Sequence, residues 1–471
     1  MLALWYSAVY RGDTGAGAAS IARARRQARA ELAAHVMQSM KGLVGAVRWN
    51  ASSVPRPLIV ISSAVALSLL GDQMLYVVLP AVHEAVGVPV GAIGLLLSAN
   101  RLVRLLTNSL AGYVVERFGR QWPFILALVL GGLTTVTYGV LHGVWAFLIA
   151  RLLWGTAWSF IRIEGLSTVL DVASDQNRGR YMGLFQAISR LGSAVAMLAG
   201  GILADVIGFR ATFVLFGCVT CCAALLAYAE MTNRHVRSSV RVTPQTLPRR
   251  SQQSAAGPEN RAIRTRPAVK MRWRMMIASL GTFSTFLVIG GLVSATLGYT
   301  LQTRFGPTPE VGAWTIGIAS LTGLLLSSRG FFDLGFAPAV GHLADRWGRH
   351  QMITCAMPLA ILMVGVLALL PPLSVVVGVI MVLFAAGTAL NVAFNAVAGD
   401  IAPPNKRSAF LSLFVTCQDL GAAAGPLLGY WVGPAFGLVW LYLCGAIVLV
   451  LAFLCHVITF VRPSRHAAVL C

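Results

Sequence analysis

Charge is scarce in this chain. Of its 471 residues, 11% are Asp, Glu, Lys or Arg, while 57% are apolar. A soluble domain carries about a quarter charged residues, so an ordinary soluble domain is excluded. Acid is the scarcer sign, with 16 Asp and Glu against 37 Lys and Arg, a net charge of +21. Cysteine is also few, and badly placed for a disulfide framework: seven of the eight fall in apolar runs and Cys471 is the last residue. Cys218, Cys221 and Cys222 form a C-x-x-C-C run, but no His or acid stands near them, so they are expected to pack rather than bind metal. No Gly-rich loop ends in G-K-[ST], which leaves ATP-driven chemistry without a phosphate site. There is no nucleophile–base motif either. No enzymatic activity, cofactor or metal is expected.

What the chain has instead is long apolar runs, such as Pro57–Pro80, Trp122–Leu141 and Trp440–Val461. A helix that crosses a bilayer needs about 20 such residues. Twelve candidate spans are present. Spans 1 to 6 cover 57–82, 89–114, 122–141, 144–168, 181–204 and 211–230; spans 7 to 12 cover 275–301, 312–342, 351–370, 373–398, 408–432 and 437–461. The fold class is an all-α membrane protein.

The basic excess invites a nucleic-acid reading, but its distribution excludes one. Segment 1–57 holds eight Lys and Arg, segment 231–274 holds eleven, and the loops after spans 2, 4, 8 and 10 and the C-terminal tail hold two each. The opposite loops hold only Arg210 and Arg304. By the positive-inside rule, both termini are expected in the cytoplasm of a multi-pass protein of the cell (inner or plasma) membrane. The first residues do not read as a cleavable signal peptide, since no basic start precedes the first apolar residues. Residues 18–49, with Arg23, Arg25, Arg26 and Arg29, read either as a basic helix on an anionic lipid surface or as a disordered extension.

One short charged loop occurs twice. "GYVVERFGRQ" starts at Gly112 and "GHLADRWGRH" at Gly341, 229 residues later. The same offset relates Leu184-Phe185 to Leu413-Phe414, Leu191-Gly192 to Leu420-Gly421, and Gly200 to Gly429. The chain therefore divides into an N-terminal extension (1–56), a six-span half (57–230), a polar linker (231–274), a second six-span half (275–461) and a tail (462–471). The two halves are expected to be pseudo-symmetric.

Six plus six spans, a long central linker and the paired loop motif resemble the major facilitator superfamily, over about 57–461. The resemblance implies secondary transport. It also implies that Glu116, Arg117 and Arg120, with Asp345, Arg346 and Arg349, hold the halves together on the cytoplasmic side, while Gly112, Gly119, Gly341 and Gly348 allow a tight turn between helices. The first copy departs slightly, with Glu116 for Asp and Gln121 where a basic residue is usual. Arg151-x-x-x-Gly155 in span 4 is similar to a pattern of proton-coupled members. Span 11 carries Gly421-x-x-x-Gly425-Pro426-x-x-Gly429. The family's antiporters have that Gly-Pro in span 5, where this chain has Ala196-Met197, and the small residues also suit simple close packing.

Ionisable groups at mid-bilayer depth cost several kcal/mol unless paired or hydrated. Ten occur here: Arg101, Arg104, Arg151, Arg162, Arg190, Arg329, Asp72, Glu164, Asp333 and Asp419. The repeat makes Arg104 equivalent to Asp333, and Arg190 equivalent to Asp419. Each stands twelve residues from the matching charge of a loop, about 18 Å along a helix and so near the bilayer centre. In the resembled fold spans 2 and 11 meet, as do spans 5 and 8. Two bridges between the halves are therefore expected, Arg104–Asp419 and Arg190–Asp333; the alternatives are pairing within a half, or hydration. Asp72 is the expected proton or cation site, since a desolvated carboxyl titrates near neutral pH. A permanent pair with Arg101 or Arg151 is the alternative. Span 4 sets Arg151, Gly155, Trp158 and Arg162 on one stripe, while Glu164 points towards a neighbouring span. Arg151, Trp158, Arg162, Asn391 and Asn395 are the expected cavity residues, with packing the alternative for the two amides. His83 and Glu84 read as a solvated loop.

The function expected is alternating-access transport of a small molecule, anionic if the arginines face it, coupled to protons, with antiport or efflux ahead of symport. A non-transporting membrane sensor or scaffold is the alternative. Membrane lipids are the other expected partners. No nucleic-acid partner is expected, and the chain is expected to act as a monomer.

Overall fold

Long apolar runs leave the backbone one economical way to satisfy its own polar groups, the helix. A computed structural model of the chain describes residues 54–174, 177–239, 267–311, 314–403 and 407–461. The basic stretch 18–49, most of the linker and the tail lie outside the described residues. Twelve spans form. In the first half they are Arg56–Val82, Val90–Phe118, Gln121–Val140, Val144–Val172, Arg178–Ile207 and Phe209–Ser239. In the second half, span 7 runs from Pro267 to Phe305, winding as a π-helix between Phe286 and Val293. Spans 9 to 12 are Arg349–Ala368, Leu373–Ile401, Arg407–Phe436 and Leu438–Val461, the last ending in a π-helical turn.

Eleven of these are long and apolar enough to cross a membrane. Span 8 is the exception: it is split into Ile318–Gly335 and Ala337–Trp347, and the longer piece is made less apolar by Arg329, Asp333 and its serines. Pro338 cannot donate to the carbonyl of Leu334, and Gly335 is a poor helix former, so the ladder breaks between them. Span 8 also starts later than the apolar run suggests. Residues ahead of it form a two-residue antiparallel ladder instead, with Glu310 opposite Thr315 and Val311 opposite Trp314.

For orientation, the near end of the bundle carries Arg56, Glu230 and the two repeated loops; the far end carries the loops around Gly87, Gly143, Gly208 and Gly437. Both repeated loops turn on a glycine with left-handed backbone, Gly119 (φ 79°) and Gly348 (φ 101°). A side chain there would be strained, which explains the glycine in both copies.

Small residues let helices touch. In the first half span 5 lies on span 1, with Gly192 against Ala66 and Gly200 against Met74. In the second half span 11 repeats this on span 7, with Gly421 against Phe283, Gly425 against Gly291 and Gly429 against Thr296. The span-11 glycine–proline stretch and its span-5 counterpart thus both do close-packing work.

The halves meet along two seams, span 2 with span 11 and span 5 with span 8. Hydrogen bonds that cross between the halves gather from mid-helix to the far end. Ser98 Oγ donates to Ala423 O at 2.5 Å, Gln302 Nε2 to Ala81 O at 3.2 Å, and Ser320 N and Oγ to Asp205 Oδ2 at 2.7 and 2.6 Å. There the backbone of Gly94 lies on Pro426, and that of Gly201 on Ala319. The far end is closed. Outward faces present Leu106, Trp145, Val206 and Leu225, exposed apolar side chains that suit contact with lipid tails.

Candidate functional site

A cavity of about 380 Å³ opens where spans 1, 2, 4, 5 and 8 converge at mid-helix. Its wall includes five arginines: Arg101, Arg104, Arg162, Arg190 and Arg329. Only Asp72 and Asp333 among the wall residues are acidic. The apolar part is built on Trp158, which stacks on Trp154 with ring centroids 5.5 Å apart and planes at 11°.

Three arginines converge on one carboxylate. Arg104 Nη2 lies 3.7 Å from Asp419 Oδ1, Arg101 Nη1 lies 3.9 Å from the same oxygen, and Arg162 Nη1 lies 4.0 Å from Oδ2. Arg101 and Arg104 come from span 2, Arg162 from span 4 and Asp419 from span 11, so the cluster joins the halves. On the other seam Arg190 of span 5 pairs directly with Asp333 of span 8. Thr388 of span 10 donates a 2.7 Å hydrogen bond to Asp333 Oδ1. Arg329, one turn earlier in span 8, lies over the ring of Phe286, 5.9 Å from its centroid.

Asp72 has a different setting. Its Oδ1 accepts from Arg151 Nη1 and, at 2.8 Å, from Asn100 Nδ2, while Oδ2 accepts from Gln73 Nε2 at 2.7 Å. Arg151 is 0% exposed and also donates to the carbonyl of Leu96 at 2.9 Å. Tyr76 caps the neighbouring Leu97 carbonyl at 2.9 Å. Spans 1, 2 and 4 are therefore pinned together by one arginine, and Gly155, a turn further on, lets span 4 rest on the backbone of Asn100.

The cavity differs from the sequence-based expectation in several places. Trp158 and Arg162 line it, but Arg151 does not: it is turned inward by Asp72 and the span-2 carbonyls. Asn391 and Asn395 are not among its lining residues. Asn395 Nδ2 donates to Asn391 O and Oδ1, both at 2.7 Å, so the two amides largely satisfy each other along span 10. Between Asp72's two expected settings, the structure shows the pair with Arg151. Glu164 approaches Arg120 at 3.9 Å and accepts from Thr168 at 2.8 Å. His83 is buried rather than solvated, its Nδ1 3.0 Å from Val88 O. Sequence reasoning offers Arg101 only as an alternative partner of Asp72 and gives Arg329 and Asn100 no role. Their only signal was a polar residue inside an apolar run, which shows no partner.

In the repeated loops, the ion pairs found among the described residues for Arg120 and Arg349 lie within one half. Arg120 bonds Asp171 at 2.6 Å, and Arg349 pairs with Asp400 and lies 3.5 Å from Asp345. Burial works against the Arg120 charge, but the bond to Asp171 and the fields of Glu164 and Asp171 outweigh it, leaving its pKa above the ordinary value. Arg117 is spent locally on the Tyr113 hydroxyl, 3.0 Å away. The contacts of Arg120 and Arg349 brace the half to which each belongs.

Twelve helices in two halves, meeting around a charged central cavity closed at one end, define a solute transporter. The chain belongs to the Major Facilitator Superfamily, whose family model matches residues 61–387 and 319–469. It is 24% identical to Multidrug resistance protein 2 of Bacillus subtilis over 375 residues, 79% of this chain and 87% of that protein. Against an MFS-type transporter of Methanocaldococcus jannaschii the match spans 139 residues at 27% identity, 30% of this chain and 36% of the other. The fold is similar to that of a bacterial homologue of the human lysosomal transporter Spinster, solved inward-facing and unoccupied (TM-score 0.65, 16% identity, 87% of this chain and 98% of that one).

Proposed function

We propose that this transporter is proton-coupled and exports an anionic small molecule by alternating access, with its near end and both termini in the cytoplasm. The observation that carries the reading is the placement of Asp333 and Asp419. Each is a carboxylate at mid-helix whose guanidinium partners stand on the opposite half. Rocking of the halves separates such partners, and a carboxylate that loses its counter-charge in a poorly solvated site takes up a proton. Protonation state and conformation are then linked, which is what coupling requires. Asp72 fits that task less well, because its partner Arg151 belongs to the same half and stays with it as the halves move.

The five cavity arginines favour an anion. The relatives named for drug resistance support export, and the pattern around Arg151 supports proton coupling. The test uses inverted membrane vesicles carrying the protein, a quenched pH dye and a panel of organic anions added after a pH gradient is imposed. Addition of a transported anion is expected to dissipate the gradient. Asp333→Asn and Asp419→Asn should each abolish that proton movement while leaving the protein folded. No anion-dependent proton flux across the panel would sink the coupling. Selective loss in Asp72→Asn alone would return the proton site to span 1.

A further inference from the structure

The ion pairs around the cavity are of two kinds. Arg151 with Asp72 and Arg190 with Asp333 are in direct contact. Asp419 is not: its three arginines stand 3.7 to 4.0 Å away, and among the described residues no hydrogen bond joins it to any of them. Arg104 is buried, and its Nε has no hydrogen-bond partner. Three guanidiniums thus surround one carboxylate without closing on it. The two acids of the wall are not free to help, since Asp72 is taken by Arg151 and Asp333 by Arg190 and Thr388. Two positive charges stay unmatched at this point of the cavity. Beside them lies a flat apolar surface, the Trp158 ring held by its stack on Trp154.

We propose that Arg101, Arg104 and Arg162 form the head-group subsite for an organic dianion of the phosphate-monoester or phosphonate type, whose flat apolar body lies on Trp158. A compact dianion matches two unmatched charges converging from two helices. Guanidinium forks bind such oxygens in parallel pairs, and three of them supply the donors Asp419 leaves unused. An indole face favours flat, polarisable bodies over puckered ones. The proposal rests on the cavity being the solute path, and names what that path accepts.

Binding to the purified, detergent-solubilised full chain is measured by calorimetry at about pH 8, above the second phosphate pKa of about 6. The probes are 1-naphthyl phosphate, 1-naphthoate, cyclohexyl phosphate, inorganic phosphate and (1-naphthylmethyl)trimethylammonium. 1-Naphthyl phosphate is expected to bind at least tenfold more tightly than each of the others. Arg162→Ala should weaken it tenfold or more, and Arg162→Lys, which keeps the charge but loses the fork, should fall between. Trp158→Leu should bring it to the level of cyclohexyl phosphate. The proposal is overturned if the ammonium compound or inorganic phosphate binds as tightly as 1-naphthyl phosphate, or if Arg162→Ala binds unchanged in a protein of unaltered melting temperature. Naphthyl phosphate binding without proton flux in vesicles would leave the subsite standing and remove the coupling. Proton-coupled movement of the ammonium compound without phosphate binding would do the reverse.

Discussion

Removing Arg190 should loosen the far end of the transporter. Its guanidinium pairs with Asp333 across the seam between spans 5 and 8, on the same helices whose far ends are joined by Asp205 and Ser320. Breaking a fully buried pair costs about 3–5 kcal/mol. Here the Arg190 side chain is 37% exposed and that of Asp333 14%, and Asp333 keeps Thr388 as a donor. Solvent screening and that remaining hydrogen bond bring the loss to about 1–2 kcal/mol. At about 1.4 kcal/mol per factor of ten, the closed far end should lose stability relative to the open state by roughly 5- to 30-fold. The reporter is a cysteine at Ala319, which is buried against Gly201 on this seam, placed in a background without the native cysteines. Its labelling by a membrane-impermeant maleimide should accelerate by that factor in Arg190→Ala and in Asp333→Ala. The double variant should react no faster than the singles, because the pair is already broken. Labelling rates that stay unchanged, or effects that add within about 0.5 kcal/mol, would refute the idea that this pair holds the halves.

Other perturbations separate structural from functional charges. Asp72→Asn strands the fully buried Arg151, so the melting temperature in detergent should drop by the equivalent of about 3–5 kcal/mol, and Asp72→Asn with Arg151→Leu should recover part of it. Gly94→Val places a branched side chain on the Pro426 backbone, so far-end closure should be blocked; the Ala319→Cys reporter should label at its maximal rate and transport should cease, although the protein still reaches the membrane. Arg349→Ala removes pairs with Asp345 and Asp400 and a hydrogen bond to Ala396 O at a partly exposed position, and should cost about 1 kcal/mol in thermal unfolding while leaving the labelling rate within twofold.

Much of the architecture was legible from order along the chain. A bilayer admits only helices of a set length and apolarity, so span positions follow from composition, and a duplicated half leaves its register in the offset of the two loops. That register placed Arg104, Asp333, Arg190 and Asp419 at one depth before any contact was known. Depth and register are one-dimensional properties, and one dimension suffices for them. Partner choice is different. It depends on how each helix is rotated about its axis and on which backbone carbonyls face it. Arg151 and Arg162 share a stripe of span 4, yet the first is drawn inward by Asp72 and Leu96 O, and the second is left facing the cavity near Asp419. Span 8 breaks at Gly335 and Pro338, so no continuous helix carries Asp333 to the loop. Closure of one end, and the crowding of three arginines around one aspartate, come from the way two halves lean together. A local sequence carries no record of that angle; only the packed helices set it.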